Sequence, residues 1–157
     1  MNCVHRKRQI RMFICRPSIY IGWCGTLPKG YQHSITSIHL MNYHFVWCPK
    51  YRRSVLQGRI QTRCKQLIEE KAKQMHCKIL ELRVMPDHVH MFIQANPTLA
   101  PNSIIAGIKG YTSHILRTEF AELLKLPTLW TRSYFVSTAG NVSSSIIERY
   151  IEQQEGK

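Results

Sequence analysis

The stretch "VMPDHVHMFIQ", Val84 to Gln94, lies in the middle of the chain and predicts a turn followed by a strand. Its proline and aspartate break the preceding segment, and "HVHMFIQA" (88–95) then alternates as a strand does. Residues two apart in a strand point to the same face, so His88 and His90 project side by side while the apolar residues between them face the other way. The apolar face can pack on helices, which leaves the histidine face free for a ligand.

The segments on either side of this strand have patterns that complete an α+β domain. The order strand, helix, strand, strand, helix, strand, helix fits a split β-α-β sandwich. We therefore predict an α/β (α+β) fold of the ferredoxin-like or RNA-recognition-like type, with an antiparallel sheet, helices on one face and an extra C-terminal helix. Strands are predicted at 37–48, 77–84, 88–95 and 133–138, and helices at 57–76, at 103–124 with Asn102 or Ser103 as the cap, and through "SSIIERYIEQQ".

The chain carries a large excess of positive charge. It contains 22 Lys and Arg against 9 Asp and Glu, a formal net charge of +13, and no acidic residue precedes Glu69. Lys and Arg displace the counterions that are condensed on phosphates, so a small domain this basic favours a polyanionic partner. Nucleic acid is the leading candidate, ahead of an anionic membrane surface.

The cysteines and the N-terminus favour a cytoplasmic protein. Six cysteines lie far apart without a CxxC pair, which predicts reduced, mostly packed thiols rather than a zinc or redox centre, with disulfides as the minority alternative. Arg16 and Pro17 interrupt the apolar run that follows the basic N-terminus, and no adequate cleavage site follows. No segment approaches the roughly 18 apolar residues that a membrane span needs, so we expect no membrane partner.

The predicted C-terminal helix contributes a second pair of candidate residues. Tyr150 and Gln154 are four residues apart and therefore share one helical face. A tyrosine, with a pKa of about 10, attacks a phosphodiester only when something makes the phosphate more electrophilic and supports the phenolate. A metal ion on two histidines would do both, with the glutamine oxygen as a neutral, hard ligand. Taken alone, such a tyrosine more often packs and such a glutamine more often faces solvent.

Five blocks of sequence, taken in order, resemble the signature blocks of the single-tyrosine transposases of small insertion sequences, the insertion-sequence 200/605 family. The resemblance runs from about Gly30 to Glu155 and does not reach the first 29 residues. We therefore divide the chain into a basic N-terminal extension, 1–29, which is either genuine or the result of an upstream start codon, and one catalytic domain, 30–157. The blocks are "NYHFVWCPKYRRSVL", "LRVMPDHVHMFI", "IKGYTSHILR", "LWTRSYFVSTAGNVS" and "IIERYIEQQ".

The resemblance implies a defined site and reaction. The family's His-hydrophobic-His motif falls on His88 and His90 and binds a divalent ion, Mg²⁺ or Mn²⁺. Its nucleophilic tyrosine falls on Tyr150 and its third ligand on Gln154, with Gln153 as the alternative if the helix register differs. The implied enzyme is a homodimer in a prokaryotic cell that cleaves and rejoins single-stranded DNA through a 5′-phosphotyrosine, without a nucleotide cofactor. Hairpins near the ends of the element guide it, and its active sites assemble either within or between subunits.

The basic turn after the first predicted strand is the predicted DNA contact. Lys50, Arg52 and Arg53 are placed to bind phosphates, and Trp47 and Tyr51 are available for stacking on bases. Each of these assignments competes with an ordinary role, because basic runs commonly face solvent and strand aromatics commonly pack in the core.

Two residues near the histidine pair keep more than one interpretation. Asp87 either orients a histidine or serves the turn after Pro86, and the second role is the commoner one. His44 alternates within the first predicted strand and fits a hydrogen-bonded core residue.

Two other functions stay open on sequence alone. A non-catalytic single-stranded nucleic-acid-binding module would share the strand order and the basic surface, but such modules stack bases on exposed aromatic residues of the central strands. Here the central strand offers the two histidines with only Phe92 beside them. A domesticated relative that cuts repetitive hairpins would share every site residue with a transposase.

Overall fold

The computed structural model describes residues 32–33 and 38–139. The predicted N-terminal extension and the predicted C-terminal helix, with Tyr150, Gln153 and Gln154, lie outside these residues. Short 3-10 turns occur at Lys50–Arg52 and Ala121–Lys125. The strands and helices are β1 (Gln32–His33), β2 (Ile38–His39), β3 (Asn42–Trp47), α1 (Gly58–Gln74), β4 (Lys78–Val84), β5 (Val89–Gln94), α2 (Pro101–Glu119) and β6 (Phe135–Ala139).

Four strands form one antiparallel sheet in the order β4-β5-β3-β6. The central strands β3 and β5 pair along their whole length, from Asn42 opposite Gln94 to Trp47 opposite Val89. Because α1 connects β3 to β4 and α2 connects β5 to β6, the described part of the chain has the ferredoxin-like order. The predicted fold class is confirmed.

The hydrophobic core lies between the two helices and one face of the sheet. Alternate residues of β3 and β5 supply its sheet side, and residues at helical spacing supply its helix side. Each large apolar side chain that is fully buried here stabilises the fold by roughly 1.5–3 kcal/mol. The fully buried side chains include Phe45, Met91 and Ile93 from the strands, Leu67 and Ile68 from α1, and Ile104, Ile108 and Leu116 from α2.

A bulge in β4 changes which of its residues face the core. Ile79 lies opposite Ile93, but the next paired residue, Glu81, lies opposite Phe92, so the register shifts between them. A bulge inserts one extra residue into a strand, and here that residue is Leu80. The shift puts Glu81 on the same face of the sheet as the histidines, although it is only two residues from Ile79.

The predicted strand at 37–48 consists of two strands in different sheets. Ile38–His39 pairs with β1 in a separate two-stranded sheet, whereas β3 joins the main sheet. The hydrogen bond from the Ala95 amide to the Met41 carbonyl, at 2.8 Å, extends the pairing of β3 with β5 by one step beyond Asn42 and Gln94. The residue pattern indicated extended backbone throughout but contains no information about which partner each part would take.

Helix α2 begins and ends earlier than predicted. It starts at Pro101 rather than Ser103, because a proline lacks the amide hydrogen that has no intrahelical partner in the first turn. Its N-cap is Ala100, so neither Asn102 nor Ser103 is the cap. The helix stops at Glu119, and the residues up to Lys125 form a 3-10 turn instead of the predicted last helical turn.

Hydrogen bonds connect the segment that leads into β6 to the rest of the fold. The amide of Thr131 donates to the Cys48 carbonyl at 3.1 Å, and the amide of Lys50 donates to the Leu129 carbonyl at 2.8 Å. From α2, the ammonium of Lys109 donates to the carbonyls of residues 131, 132 and 133 at 2.8, 3.4 and 3.2 Å. These contacts hold the basic turn and the start of β6 together.

Two compositional expectations can be compared with the described residues. Cys48, Cys64 and Cys77, the cysteines within that range, are free thiols. Burial raises the pKa of the Cys64 thiol to about 12, so this side chain is an unreactive packing group. No helix within residues 32–33 and 38–139 combines the length and apolar character that a membrane crossing requires.

Replacing Thr112 with Val should destabilise the protein. Its buried hydroxyl accepts from Nε1 of Trp130 at 3.0 Å and donates to the Ile108 carbonyl at 2.8 Å. Thr112→Val leaves the indole N–H buried without an acceptor, which costs about 1–3 kcal/mol in the free energy of unfolding, measured by urea denaturation. Thr118→Val is the matched control, because Thr118 makes the same bond to the carbonyl four residues back but is exposed. Equal losses in the two variants would contradict this prediction.

Candidate active site

The two histidines of the predicted motif lie together on the face of the sheet opposite the core. Their ring centroids are 4.8 Å apart, and the ring planes are nearly perpendicular, at 78°. The residue His90 is only 3% exposed, and the side chain of His88 is 18% exposed. The expectation that this face is free is therefore wrong for His90, which is buried, while His88 lies at the edge of the site.

His44 joins the pair from the neighbouring strand. Its Nε2 lies 3.2 Å from Nδ1 of His90, so one of these nitrogens donates a hydrogen bond to the other. Its ring also stacks on Phe92, with centroids 4.4 Å apart and an interplanar angle of 10°. The contact between His44 and His90 is created by the pairing of β3 with β5. Because these strands are distant in the sequence, residue spacing alone did not indicate it.

Asp87 contacts the other histidine. Its Oδ1 lies 2.6 Å from Nδ1 of His88, and its Oδ2 accepts from Nε of Arg52 at 2.8 Å. An ionised carboxylate can only accept, so Nδ1 of His88 carries a proton. Burial by itself would raise the pKa of Asp87, but the hydrogen bonds from Arg52 and His88 outweigh it and lower the pKa below its ordinary range.

The buried imidazoles are neutral near pH 7. Burial first, and the neighbouring His90 second, lower the pKa of His44 to about 4. Burial first, then His88 and Arg83, lower the pKa of His90 to about 4. A neutral ring is the form that can bind a metal ion, since the ligand atom must be unprotonated.

The donor set fits a divalent cation in part. Nδ1 of each motif histidine is engaged, by Asp87 for His88 and by His44 for His90, so Nε2 is the remaining nitrogen on both rings. Imidazole nitrogens fixed in this way are common metal ligands. In residues 32–33 and 38–139 no group of three or more His, Cys, Asp or Glu could hold a metal ion. A further ligand would have to come from elsewhere, and Gln154 stays a prediction.

The basic turn lies next to this site. Tyr51, Arg52 and Arg53 are exposed, and Arg52 connects the turn to Asp87. Tyr51 is 68% exposed, and the ammonium of Lys50 lies 5.0 Å from the centroid of its ring. Phosphate and base contacts by these four residues stay predictions, and Tyr51, Arg52 and Arg53 are exposed while Lys50 is half-buried.

Trp47 cannot serve in base stacking. It is 2% exposed and packs edge-on against Trp130, with ring centroids 6.1 Å apart. The sequence contained a signal for this position, since Trp47 follows Tyr43 and Phe45 at strand spacing and therefore shares the core face with them.

The fold and the site define a class of protein, the transposases. A crystal structure assigned to a transposase of Deinococcus radiodurans superimposes with a TM-score of 0.66 at 29% identity, covering 78% of this chain and 97% of that one. A REP-associated tyrosine transposase bound to a REP hairpin has the same fold, with a TM-score of 0.54 at 16% identity over 71% of this chain and 62% of its own.

The chain belongs to the IS200/IS605 family of transposases. The family profile described as "Transposase IS200 like" matches residues 37–154. The ISDra2 transposase TnpA of Deinococcus radiodurans is 30% identical over 134 residues, covering 83% of this chain and 96% of the relative. The transposase for insertion sequence element IS200 of Salmonella typhimurium is 30% identical over 115 residues, covering 71% of this chain and 75% of the relative. The resemblance seen in the sequence blocks is confirmed.

The metal-free protein should lose stability as the pH falls below neutrality. The folded state protonates His44 and His90 only near pH 4, whereas the unfolded chain protonates them near the ordinary value of 6.5. Between these values the unfolded state binds more protons than the folded state. The contribution of the two histidines to the free energy of unfolding is therefore fully present above pH 6.5 and decreases as the pH is lowered toward 4. Urea denaturation in a chelating buffer at a series of pH values measures this slope.

Two variants test the assignment of this slope. His44→Phe should flatten it between pH 6.5 and 5, because one of the two perturbed rings is gone. His114→Gln removes an exposed histidine and should leave the slope as it is in the wild type. A wild-type slope in His44→Phe would contradict the assignment.

Proposed function

We propose that this transposase cleaves and rejoins single-stranded DNA at the ends of an insertion sequence, with Tyr150 as the nucleophile. The family match over residues 37–154 is the observation that carries the proposal, because that range includes His88, His90, Tyr150 and Gln154. The two histidines support it, because among the described residues Nδ1 of each ring is engaged and Nε2 is the nitrogen that remains.

The proposed step is one displacement at phosphorus. The phenolic oxygen of Tyr150 attacks the scissile phosphate, a P–O bond to the tyrosine forms, and the P–O3′ bond breaks. The phenol loses its proton to solvent and the leaving 3′ oxygen gains one, so no net proton is consumed. The 5′-phosphotyrosine keeps the bond energy, and attack by another 3′-OH reverses the step without ATP.

His88, His90 and Gln154 would hold the divalent ion, Mg²⁺ or Mn²⁺. When bound, such an ion neutralises charge on the scissile phosphate and supports the phenolate. The protein's part is to keep His90 neutral by burial and to orient His88 through its contact with Asp87. His90 lies on a strand in the middle of the sheet, so its position is fixed by pairing on both sides, whereas His88 directly precedes that strand.

The proposed partners are single-stranded DNA with hairpins near the element's ends and a second copy of this chain. The exposed basic turn supports the first, and Arg52 can take part because its side chain is 71% exposed while only Nε contacts Asp87. The second copy of the chain is proposed because the family resemblance implies a dimer in which the two sheets join. In the described residues β6 is an outer strand of the main sheet, with Phe135 50% and Val136 38% exposed.

The structure disfavours a binding module of the RNA-recognition type. Such a module needs exposed aromatic rings on its central strands. Phe92, the aromatic residue beside the histidines on β5, is 4% exposed and stacked on His44. A domesticated relative that cuts hairpins shares the same residues, and hairpins flanking the gene would distinguish a mobile element from it.

Tyr150→Phe should abolish a covalent adduct between the protein and DNA. The full chain is incubated with single-stranded DNA that carries the element's ends and with Mn²⁺, and the adduct is detected by denaturing electrophoresis. Wild type should form it, whereas Tyr150→Phe, which lacks the attacking oxygen, and a sample with chelator should not. Tyr111→Phe is the control, because its hydroxyl contacts Glu70 of α1 in the helix layer. DNA binding without an adduct under all metals and end sequences would favour the non-catalytic module.

Neutralising the basic turn should weaken DNA binding and its salt dependence. Each lost phosphate contact lowers the slope of log K against log salt by about 0.7 for single strands. Lys50→Gln and Arg53→Gln should therefore each show a shallower slope in fluorescence anisotropy titrations with single-stranded DNA. Lys73→Gln, exposed at the far end of α1, is the matched control and should keep the wild-type slope. Unchanged slopes in both turn variants would contradict the assignment of the turn.

A further inference from the structure

Asp87 is shared between a site histidine and the basic turn. Its Oδ1 lies 2.6 Å from Nδ1 of His88, and its Oδ2 accepts from Nε of Arg52 at 2.8 Å. Both oxygens of the carboxylate are therefore engaged. The three side chains form a continuous connection from the turn to the histidine pair.

The backbone does not need this carboxylate to make its turn. The amide of Met85 donates to the His88 carbonyl at 2.8 Å, and the amide of Leu56 donates to the Pro86 carbonyl at 3.0 Å. A turn aspartate ordinarily accepts from the backbone two residues further on. Within the described residues, the side-chain hydrogen bonds of Asp87 go to Arg52 and His88 instead. Asp87 lies in the bend after Pro86, and its side chain makes the histidine contact that the sequence offered as the alternative role.

Arg52 reaches Asp87 from an unusual backbone conformation. The φ angles of Tyr51 and Arg52 are +60° and +49°, in the left-handed region that residues other than glycine seldom adopt. The amide of Arg52 donates to the Pro49 carbonyl at 2.9 Å, which closes the turn. Such a conformation persists only where the surroundings fix it. It directs Arg52 toward Asp87 and leaves Tyr51 exposed.

We propose that Asp87 is a positioning residue of the histidine pair and that Arg52 anchors it. The carboxylate only accepts, so it keeps a proton on Nδ1 of His88 and directs Nε2 toward a ligand. Nδ1 of His90 is engaged by His44, so both motif rings present the same nitrogen. The inference rests on the proposed role of His88 and His90 in binding a divalent cation, and it adds the residue that decides how His88 is oriented.

Two readouts on the full chain test this role, and neither depends on catalysis. The first is the ¹⁵N chemical shifts of the His88 imidazole in metal-free, histidine-labelled protein at mildly alkaline pH, which report the tautomer. The second is the dissociation constant for Mn²⁺, measured by calorimetry. In Asp87→Ala the Nδ1–H form should give way to mixed tautomers, and Mn²⁺ affinity should fall roughly 10–100-fold. Asp87→Asn, which is close in shape, should show a smaller change in the same direction and replaces Asp87→Ala if that variant does not fold.

Further variants separate orientation from charge. Arg52→Ala should lower Mn²⁺ affinity by less than Asp87→Ala, because the carboxylate still contacts His88. Glu81→Gln removes a negative charge from the same face of the sheet and should bind Mn²⁺ as wild type does. Wild-type tautomer and affinity in Asp87→Ala, or an equal loss in Glu81→Gln, would overturn the positioning role.

Failure of the proposed metal site has a different signature. If wild type binds no Mn²⁺, or if His88→Ala and His90→Ala bind it as well as wild type, the metal role of the pair is wrong. The tautomer of His88 in the metal-free protein still decides whether Asp87 orients it.

Discussion

The register of β5 between its two neighbours is the constraint on which the rest of this structure depends. Val89, Met91 and Ile93 all face the core, and burying each contributes roughly 1.5–3 kcal/mol. A slip of β5 by one residue would move all three side chains out of the core and place His90 in it. The loss is comparable to the whole stability of a small domain, so the core holds the register. The same register brings His90 beside His44 on the other face.

The site therefore obtains its geometry from packing that is remote from any ligand. A histidine on a loop would have to be ordered by its ligand, whereas His90 is held by a strand that is paired on both sides. Burial first, and the neighbouring His88 and Arg83 second, keep this ring neutral, and the contact with His44 satisfies one of its two nitrogens. His88, at the edge, is held instead by a side chain of the turn that precedes it. His90 is positioned by the sheet and His88 by Asp87. On both rings the contact uses Nδ1, so Nε2 is the nitrogen that remains.

The sequence predicted what depends on local periodicity. The order of the elements and the common face of His88 and His90 follow from spacings of two and of three to four residues. The described structure contains that common face, and it contains the order as far as β6. The partners of the histidines were not predictable, because His44 meets His90 only after two distant strands pair, and Arg52 meets Asp87 through an unusual turn. Trp47 was misjudged although its alternation with Phe45 indicated the core. Tyr150 and Gln154 depend on the family resemblance, since residues 140–157 lie outside the described range.

The bulge at Leu80 has a consequence for comparing this chain with its relatives. Because the two halves of β4 are out of phase, a single misplaced gap in an alignment would exchange the two faces of this strand. Glu81 and Arg83 would then be counted as core positions and Leu82 as a surface position. At roughly 30% identity such an error is easy to make by sequence alone, so charge patterns near the site are comparable between family members only after their coordinates are superimposed.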